Sequence, residues 1–461
     1  DDALRTQYTD FIEGMLHKGH AEPAPEGGGT CWYLPHHAVH HPKKPNKVRV
    51  VFDCSANFQG TSLNQHLLTG PELINSLVGV LCRFRENIVA VVCDIEQMFY
   101  QFTVPVSQRD FLRFLWWEKG DLLSEPKEFR MTVHLFGASS SPGCCNFGLK
   151  HIAQLNKEEC SLASRFLERN FYVDDGLIST SSPEEAVLLV QQTQQLCAQH
   201  GIRLHKFSSN YVEVLKSLDP KDVVVSKDTI GLDEQKACER TLGVRWHIGT
   251  DTFGFSVSPG TQPDTRRGIL STVASLFDPL GFVAPFILKG KLVLQGLCSQ
   301  GLQWDDTLSP EDQSRWEEWK TGLQELQHFE LPRCYRPREF GEPVKAELHC
   351  FSDASTIGYG ACCYLRLVNE HGHVHCCLVL AKARVAPTKL QSIPRLELTA
   401  AVVAARLALR LREEMDIEID GEYFWSDSRV VLGYIANDAR KFHVFVANRV
   451  QAIQEISHPS Q

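Results

Sequence analysis

Two adjacent aspartates, Asp174 and Asp175, interrupt a largely apolar stretch at residues 171–179. The valine, leucine and isoleucine around them favour a strand, whereas aspartate is depleted in strands and Gly176 favours a turn. Burying two neighbouring carboxylates without partners is costly, because like charges repel and each loses its hydration. Two Mg²⁺ ions about 4 Å apart would offset this cost, and such a pair can activate a hydroxyl and stabilise a leaving pyrophosphate. The stretch therefore predicts a β-hairpin with an acidic, metal-binding tip.

A third carboxylate is expected near this tip, because hard cations bind several oxygen ligands. Asp94 is the candidate, since it ends the apolar run IVAVVC, which predicts a central strand that opens into a site. For either piece alone, a plain hairpin tip and an ordinary strand-end aspartate remain the alternative interpretation.

A second acidic set lies near the other end of the chain. Asp353 lies in the strand-like FSDAS, Glu397 in the first turn of a long helix, and Asp427 at the end of the strand-like EYFWSD. Three unrelated acids are the alternative, with Glu397 simply favouring a helix N-terminus. Their order, spacing and element types together favour a second site.

The elements that must position these acids change along the chain. Residues 1–250 predict a mixed α/β region, residues 251–345 a mostly helical one, and residues 346–461 a strand meander followed by a long helix at 395–415. The segment 332–345 is rich in proline and glycine, which is typical of a linker. The other elements expected are strands at 48–53, 87–95, 101–106, 202–207 and 422–427, and helices at 183–200 and 309–326.

Composition limits the class of protein. A chain of 461 residues is expected to form two to four domains, and 43% hydrophobic with 22% charged residues describes a globular protein. The net charge of −9 argues against a simple nucleic-acid-coating protein, although 42–49 forms a local basic patch. The most apolar segment, 269–297, contains charges and prolines and predicts no membrane span. Because the chain begins with Asp1, we expect a piece of a longer precursor.

Cysteine and histidine invite a metal or disulfide interpretation. The 16 cysteines include three adjacent pairs and no CxxC motif, which favours reduced, structural thiols in an intracellular protein. The HHAVHH stretch at 36–41 could bind a metal, but it lacks nearby cysteine partners, so a solvated loop is the favoured prediction.

The order of these motifs resembles the reverse transcriptase family, and specifically its Pao (BEL-like) retrotransposon class. The family's tyrosine–any–Asp–Asp hairpin is matched by residues 172–175. Its strand-ending aspartate is followed five residues later by an aromatic residue that blocks the ribose 2′-hydroxyl, here Phe99. A glycine–serine–proline loop that cradles template and incoming base is matched by Gly137, Ser141 and Pro142.

Further residues carry the same resemblance. It implies that Lys47 and Arg49 grip the triphosphate and that Lys206 lies beside the departing pyrophosphate. The segment 275–285 is especially like Pao elements, and 242–246 resembles the primer-gripping turn. One departure is Phe136, which stands where many family members have glutamine before the loop glycine.

The later acids resemble those of ribonuclease H, in which Asp, Glu and Asp bind two Mg²⁺ ions that direct water at RNA paired with DNA. The resemblance implies this role for Asp353, Glu397 and Asp427. The family's fourth acid is not matched before Gln461, and Asp438 is not assigned to it, so we expect a truncated nuclease domain.

The resemblance implies an α+β fold (mixed α/β): a right-hand polymerase with fingers and palm at 1–250, a thumb and connection at 251–345, and an RNase H-like domain at 346–461. The expected activity is RNA-directed DNA polymerisation with degradation of the RNA in the hybrid, supported by two Mg²⁺ per site or by Mn²⁺. The expected partners are RNA template, DNA primer, RNA–DNA hybrid, deoxynucleoside triphosphates and other parts of a parent polyprotein, in a cytoplasmic retroelement particle without membrane contact.

Two other functions compete with this one. A catalytically silent retroelement remnant could still bind nucleic acid, although all six expected carboxylates are present. An aspartic peptidase is the second, but its Asp–Thr/Ser–Gly motif is absent from the sequence, and DDG at 174–176 is not equivalent.

Overall fold

The computed structural model describes residues 2–27, 29–41, 44–224, 238–241, 244–255, 262–437 and 442–461. Its helices are α1 (Asp2–His17), α2 (Leu63–His66), α3 (Leu77–Phe84), α4 (Ser141–Leu155), α5 (Ser161–Arg169), α6 (Pro183–Gln199), α7 (Val212–Lys216), α8 (Arg266–Ser275), α9 (Ala284–Ser299), α10 (Pro310–Glu325), α11 (Ile393–Glu414), α12 (Arg429–Ile435) and α13 (Val444–Gln454). Short 3₁₀ helices occur at Met98–Gln101, Val106–Leu112, Glu118–Gly120, Pro220–Asp222, Leu326–His328 and Arg338–Phe340.

The strands form five sheets in the described part of the chain. They are β1 (Ala21–Pro23), β2 (His36–His41), β3 (Lys44–Phe52), β4 (Val89–Ile95), β5 (Arg113–Trp116), β6 (Lys127–Met131), β7 (Phe171–Tyr172), β8 (Asp175–Thr180), β9 (Leu204–Ser209), β10 (Cys238–Thr241), β11 (Val244–His247), β12 (Thr252–Gly254), β13 (Glu330–Pro332), β14 (Pro343–Ala354), β15 (Gly358–Asn369), β16 (Val374–Val385) and β17 (Gly421–Trp425). The strand orders are β1-β6-β5, β2-β3, β7-β8-β4-β9, β10-β11-β12-β13 and β16-β15-β14-β17.

The chain divides into two compact units. The first comprises Asp1–Asn75, Cys93–Gly176 and Leu188–Phe207, and the second comprises Ser76–Val92, Leu177–Val187 and Ser208–Gln461. The predicted functional boundaries at 250 and 345 are a different division and stay predictions.

The first unit carries Asp94 and the β7–β8 hairpin. One of its cores packs α1 and β3 against the β1-β6-β5 sheet, with Ile12, Phe114 and Met131 fully buried. Helix α6 begins with Pro183, the predicted first position, and Gly201 follows it with a φ of +74°. That angle favours glycine, as expected just after a helix.

In the second unit, the helix predicted at 309–326 forms as α10 and buries two tryptophans. Ser309 caps this helix by accepting from the Asp312 N–H, while Trp316 and Trp319 stack with ring centroids 4.8 Å apart. These rings pack with residues of α8 and α9 in one core.

The last sheet follows the predicted meander. Strands β14, β15 and β16 pair antiparallel in chain order, and β17 adds to β14 in parallel. Helix α11 is predicted at 395–415 but begins at Ile393, which makes Glu397 its fifth residue rather than a residue of the first turn.

Three local predictions are wrong. Residues 36–41 form β2 rather than a loop, because they pair antiparallel with β3. The stretch 101–106 forms no strand beyond an isolated bridge at Thr103. The centre of 332–345 is not a solvated linker, because Arg333 is fully buried and pairs with Asp251 at 2.6 Å.

Candidate active sites

The first candidate site lies where β4 ends. The strand's first five residues are buried, and the Asp94 side chain follows them at 23% exposure. The next two residues fix its position: the Ile95 N–H donates to the Asp174 carbonyl oxygen at 2.9 Å, and the Glu96 N–H donates to the Arg203 carbonyl oxygen at 3.0 Å. Asp94 is therefore held between the β7–β8 hairpin on one side and the start of β9 on the other.

The hairpin tip is a strained two-residue turn. Tyr172 pairs with Asp175, which leaves Val173 and Asp174 as the turn residues. Val173 has a φ of +59°, and Asp174 does not share a positive φ, so the turn has the pattern of type II′. A β-branched residue is a genuine outlier in this region, and such strain is concentrated at functional sites. The outlier supports a functional role for the tip.

The carboxylates at this tip influence one another. Burial raises the pKa of the Asp174 carboxyl above its ordinary value, and the negative charge of Asp94 adds to the effect, while Lys206 opposes it. Asp175 begins β8 and is half-buried. Asp94 and Asp174, two of the three predicted ligands, therefore lie within electrostatic range of each other, and the surroundings of Asp174 disfavour its negative charge.

Two nitrogen donors bind the Asp94 carboxylate. His205 Nε2 lies 2.6 Å from Oδ1 and Lys206 Nζ lies 3.0 Å from Oδ2. Neighbouring strand residues normally face opposite sides, but Lys206 has a φ of +53°, which breaks the alternation and lets both side chains reach one carboxylate. Sequence reasoning missed His205, and only its position beside Lys206 could have indicated it.

The residues predicted to contact the nucleotide lie in the same unit. Phe99 is half-buried in the 3₁₀ helix Met98–Gln101 and packs against Phe136 with ring centroids 4.5 Å apart. Arg49 is exposed on β3. Burial raises the pKa of the Tyr100 phenol to about 12, and the positive charge of Arg49 partly opposes this rise, so Arg49 lies within electrostatic range of Tyr100. Arg49 and Phe99 are thus brought to one region.

The predicted loop around Gly137 is partly a tight turn and partly core. Gly137 has a φ of +101°, and a Cβ there would lie 2.9 Å from the Phe52 carbonyl oxygen, so glycine is required. Ser141 is instead fully buried at the start of α4 and shares a 3.4 Å hydrogen bond with His134 Nδ1. In this structure its hydroxyl supports the helix start rather than facing a ligand, and its predicted ligand contact stays a prediction.

Two predicted features fall partly outside the described residues. Lys47 belongs to β3, but its side chain lies outside them. Residues 242–243 of the predicted primer-gripping turn lie wholly outside the described residues. Trp246 of the same segment is fully buried, and its indole N–H donates to Asp251.

The second candidate site lies at the ends of β14 and β17. These strands run parallel, with Phe351 opposite Trp425, so Asp353 and Asp427 each follow two residues later and end side by side. Both aspartates are exposed, and both line a cavity of about 760 Å³ whose other walls come from β14, β15, β16 and the start of α9.

Helix α11 brings the third acid to this edge. The Ser428 hydroxyl donates a short hydrogen bond to Glu397 Oε2, and Ser428 directly follows Asp427. Ser428 is buried and also accepts from the Val431 N–H at 3.4 Å, which fixes the start of α12. One serine therefore joins the helix that carries Glu397 to the strand end that carries Asp427.

The donor chemistry of both sites suits magnesium, because each supplies carboxylate oxygens. In the described part of the chain, no three His, Cys, Asp or Glu side chains are gathered closely enough to hold one ion. In the first site, burial and, to a lesser degree, the charge of Asp94 raise the pKa of Asp174, and a bound cation would offset both effects. The ligand types fit the predicted ions, provided that Asp94 exchanges at least one of its present nitrogen partners for an ion.

A comparison with known protein families finds a match for the later part of the chain. Residues 265–428 match the family model described as the Pao retrotransposon-like RNaseH-like domain. No curated protein matches the chain. No helix of the described residues is long and apolar enough to cross a membrane.

Solved structures of foamy viral protease-reverse transcriptase are similar over almost the whole chain. The dRH form bound to double-stranded DNA has a TM-score of 0.61 at 16% identity, covering 98% of this chain and 68% of that chain. A complex with RNA/DNA hybrid has a TM-score of 0.58 at 14% identity, covering 99% and 53%, and another with double-stranded DNA has 0.58 at 16%, covering 98% and 81%. These likenesses confirm the predicted mixed fold of helices and strands, with its RNase H-like domain.

Proposed function

We propose that this chain copies RNA into DNA and cleaves the RNA of the resulting hybrid, a function supported by its match to the Pao retrotransposon-like RNaseH-like domain and by its structural likeness to foamy viral protease-reverse transcriptase. The observation that carries the polymerase activity is the 2.9 Å bond from the Ile95 N–H to the Asp174 carbonyl oxygen. This bond sets the end of β4 beside the hairpin turn, so that acids 80 positions apart in the sequence belong to one site.

In the first site, Asp94, Asp174 and Asp175 would hold two Mg²⁺, or Mn²⁺, which when bound would activate the primer 3′-hydroxyl and stabilise charge on the transferring phosphoryl group. The ammonium of Lys206 already lies at the carboxylate of Asp94, where it can neutralise the leaving pyrophosphate or give it a proton. Arg49 and Lys47 would bind the triphosphate, with the guanidinium able to bind two of its oxygens at once.

Selection of the sugar would fall to Phe99. Its half-buried ring stands five residues beyond Asp94, on the segment that continues from the end of β4. A ribose 2′-hydroxyl that met this ring would lose hydrogen bonds to water and clash with carbon atoms, which disfavours ribonucleotides.

In the second site, Asp353, Glu397 and Asp427 would hold the ions that direct a water at the RNA phosphodiester. Ser428 orients Glu397 through its hydroxyl. The two exposed aspartates line the cavity at the ends of β14 and β17, where the RNA strand would bind. The proposed nuclease function of this second site rests on its three carboxylates and on the matched family domain.

The proposed partners are an RNA template, a DNA primer, the hybrid duplex and deoxynucleoside triphosphates. The similar foamy viral proteins were solved with double-stranded DNA and with RNA/DNA hybrid, which supports duplex binding. As part of a retroelement polyprotein, the chain would act in a cytoplasmic particle beside the other products of that polyprotein.

Primer extension on a poly(rA)–oligo(dT) duplex tests the polymerase. The wild-type chain is expected to extend the primer in a metal-dependent way, and Asp174→Asn is expected to abolish extension while hybrid binding stays measurable. Asp10→Asn, a change at an exposed aspartate of α1, is the matched control and should extend like wild type. Extension by Asp174→Asn at the wild-type rate would refute the assignment.

A silent remnant that only binds nucleic acid is the second candidate. The observation that favours it is the occupation of both Asp94 oxygens by His205 and Lys206. The same assay separates the two functions, because a remnant binds the duplex but extends no primer at any Mg²⁺ or Mn²⁺ concentration.

A further inference from the structure

Phe136 is an aromatic residue on the surface of the proposed nucleotide site. Its side chain is 43% exposed, although a large apolar ring gains little from contact with water. Its ring lies 4.5 Å from the ring of Phe99, at an interplanar angle of 67°, and 5.7 Å from that of Tyr100, at 85°. Both are edge-to-face contacts, the geometry in which aromatic pairs attract beyond simple burial.

The backbone beside Phe136 is fixed by the rest of the unit. Asn64 Nδ2 donates to the Gly137 carbonyl oxygen at 2.9 Å, and Asn64 Oδ1 accepts from the Ser139 N–H at 2.9 Å. The loop also passes so close to β3 at Gly137 that a Cβ there would lie 2.9 Å from the Phe52 carbonyl oxygen. Phe136 is therefore presented to Phe99 from a rigid support.

Phe99 lies on a short helical element. It belongs to a four-residue 3₁₀ helix that starts after Gln97, a residue with a φ of +49°. A steric barrier selects against a 2′-hydroxyl only if its ring cannot retreat, and a displacement of about 1 Å can cost a factor of 100 in positioned chemistry. The ring of Phe136 lies directly against the ring of Phe99, where it restricts the movement of that ring.

We propose that Phe136 is the positioning residue of Phe99, so that the two rings together set the discrimination between deoxyribonucleotides and ribonucleotides. This inference rests on the proposed polymerase function. It gives a role to the residue at which this chain departs from the glutamine of many reverse transcriptases. Phe136 acts through Phe99 and need not touch the sugar itself.

The test is single-nucleotide incorporation of dTTP and of UTP on poly(rA)–oligo(dT), with kcat/KM measured for each. Phe136→Leu is expected to lower the dTTP/UTP ratio by about 2- to 12-fold, the range that corresponds to one lost aromatic pair. Phe136→Tyr keeps the ring and should keep the ratio. Phe99→Ala should lower the ratio further, and adding Phe136→Leu to it should change nothing more, because the two residues act as one unit.

Three outcomes would overturn the inference. An unchanged ratio for Phe136→Leu, in a protein where Phe99→Ala lowers it, shows that Phe99 needs no support and leaves the polymerase function standing. Equal loss of both kcat/KM values at a constant ratio assigns Phe136 to the template strand. No incorporation by the wild-type chain removes the proposed function and this inference with it. Thermal unfolding of each variant separates these effects from misfolding.

Discussion

His205 Nε2 lies 2.6 Å from Oδ1 of Asp94, across 111 positions of sequence. The imidazole is mostly buried, with 19% of the side chain exposed, whereas the neighbouring Lys206 is 57% exposed. The histidine thus fixes the orientation of a proposed metal ligand, while the lysine remains accessible to the leaving group. Groups that orient metal-binding carboxylates usually matter almost as much as the ligands.

His205→Ala is expected to raise the Mg²⁺ concentration needed for half-maximal primer extension by roughly 10-fold, because Asp94 loses the partner that orients it. The measurement is a Mg²⁺ titration of extension at fixed pH. His205→Gln retains a donor and should remain closer to wild type. His200→Ala, at an exposed residue just after α6, is the control, and an identical titration curve for His205→Ala would contradict the role.

Glu397→Gln is expected to abolish cleavage of the RNA in a labelled hybrid without changing primer extension. The two proposed sites use separate carboxylate sets, so Asp174→Asn should show the opposite pattern. Cleavage and extension are measured on the same hybrid preparation. Glu418→Gln, an exposed glutamate of the second unit, serves as the control, and loss of both activities in Glu397→Gln would argue against independent sites.

Glu86 predicts a pH-dependent stability. It is 8% exposed, its Oε1 accepts from the Asp416 N–H at 2.7 Å, and burial raises its pKa to about 8 from 4.5. Between these two values the folded chain holds a proton that the unfolded chain releases, so the free energy of unfolding falls as pH rises and levels off above about 8. Below a pH of about 4.5 the carboxyl is protonated in both the folded and the unfolded chain, so Glu86 no longer makes the stability depend on pH.

Glu86→Gln removes this titration while keeping an acceptor for the Asp416 N–H. Urea midpoints at pH 5 and pH 8.5 are expected to differ less in the variant than in wild type. Glu125→Gln, at an exposed glutamate, should keep the wild-type difference. An unchanged difference in Glu86→Gln would show that its carboxyl titrates normally.

Truncation of Arg83, which pairs with Glu414, is expected to lower the stability of the chain strongly. Arg83 Nη1 lies 2.8 Å from Glu414 Oε2 and donates at 2.7 Å to the Glu414 carbonyl oxygen, with 3% of the arginine side chain exposed. Removing one member of a buried pair costs about 3–5 kcal/mol, because the other is left without compensation. Arg83→Ala should therefore lower the free energy of unfolding by an amount in this range, measured by chemical denaturation.

The exposed pair of Arg315 and Glu311 is the control for Arg83. Their side chains are 60% and 76% exposed, so Arg315→Ala should cost under about 1 kcal/mol. Equal effects of the two substitutions would mean that burial adds nothing to the Arg83 pair.

The sequence by itself indicated which residues could carry chemistry. The aspartate pair in an apolar run, the strand-end Asp94 and the three later acids are visible because a charge stands out against local periodicity. The strand, helix and strand order of the last region followed from the same periodicity, as did helix α10. Local patterns report local structure, and these features are local.

Only the tertiary structure decided which side chains meet. His205 reaches Asp94 because β9 lies next to β4 and because the left-handed φ of Lys206 turns two neighbouring side chains to one carboxylate. Phe136 meets Phe99 through a loop fixed by a distant asparagine, and Arg333 is buried in a stretch whose composition favours solvent. Sheet order and close packing arise from contacts between remote segments, which no local pattern in the chain encodes.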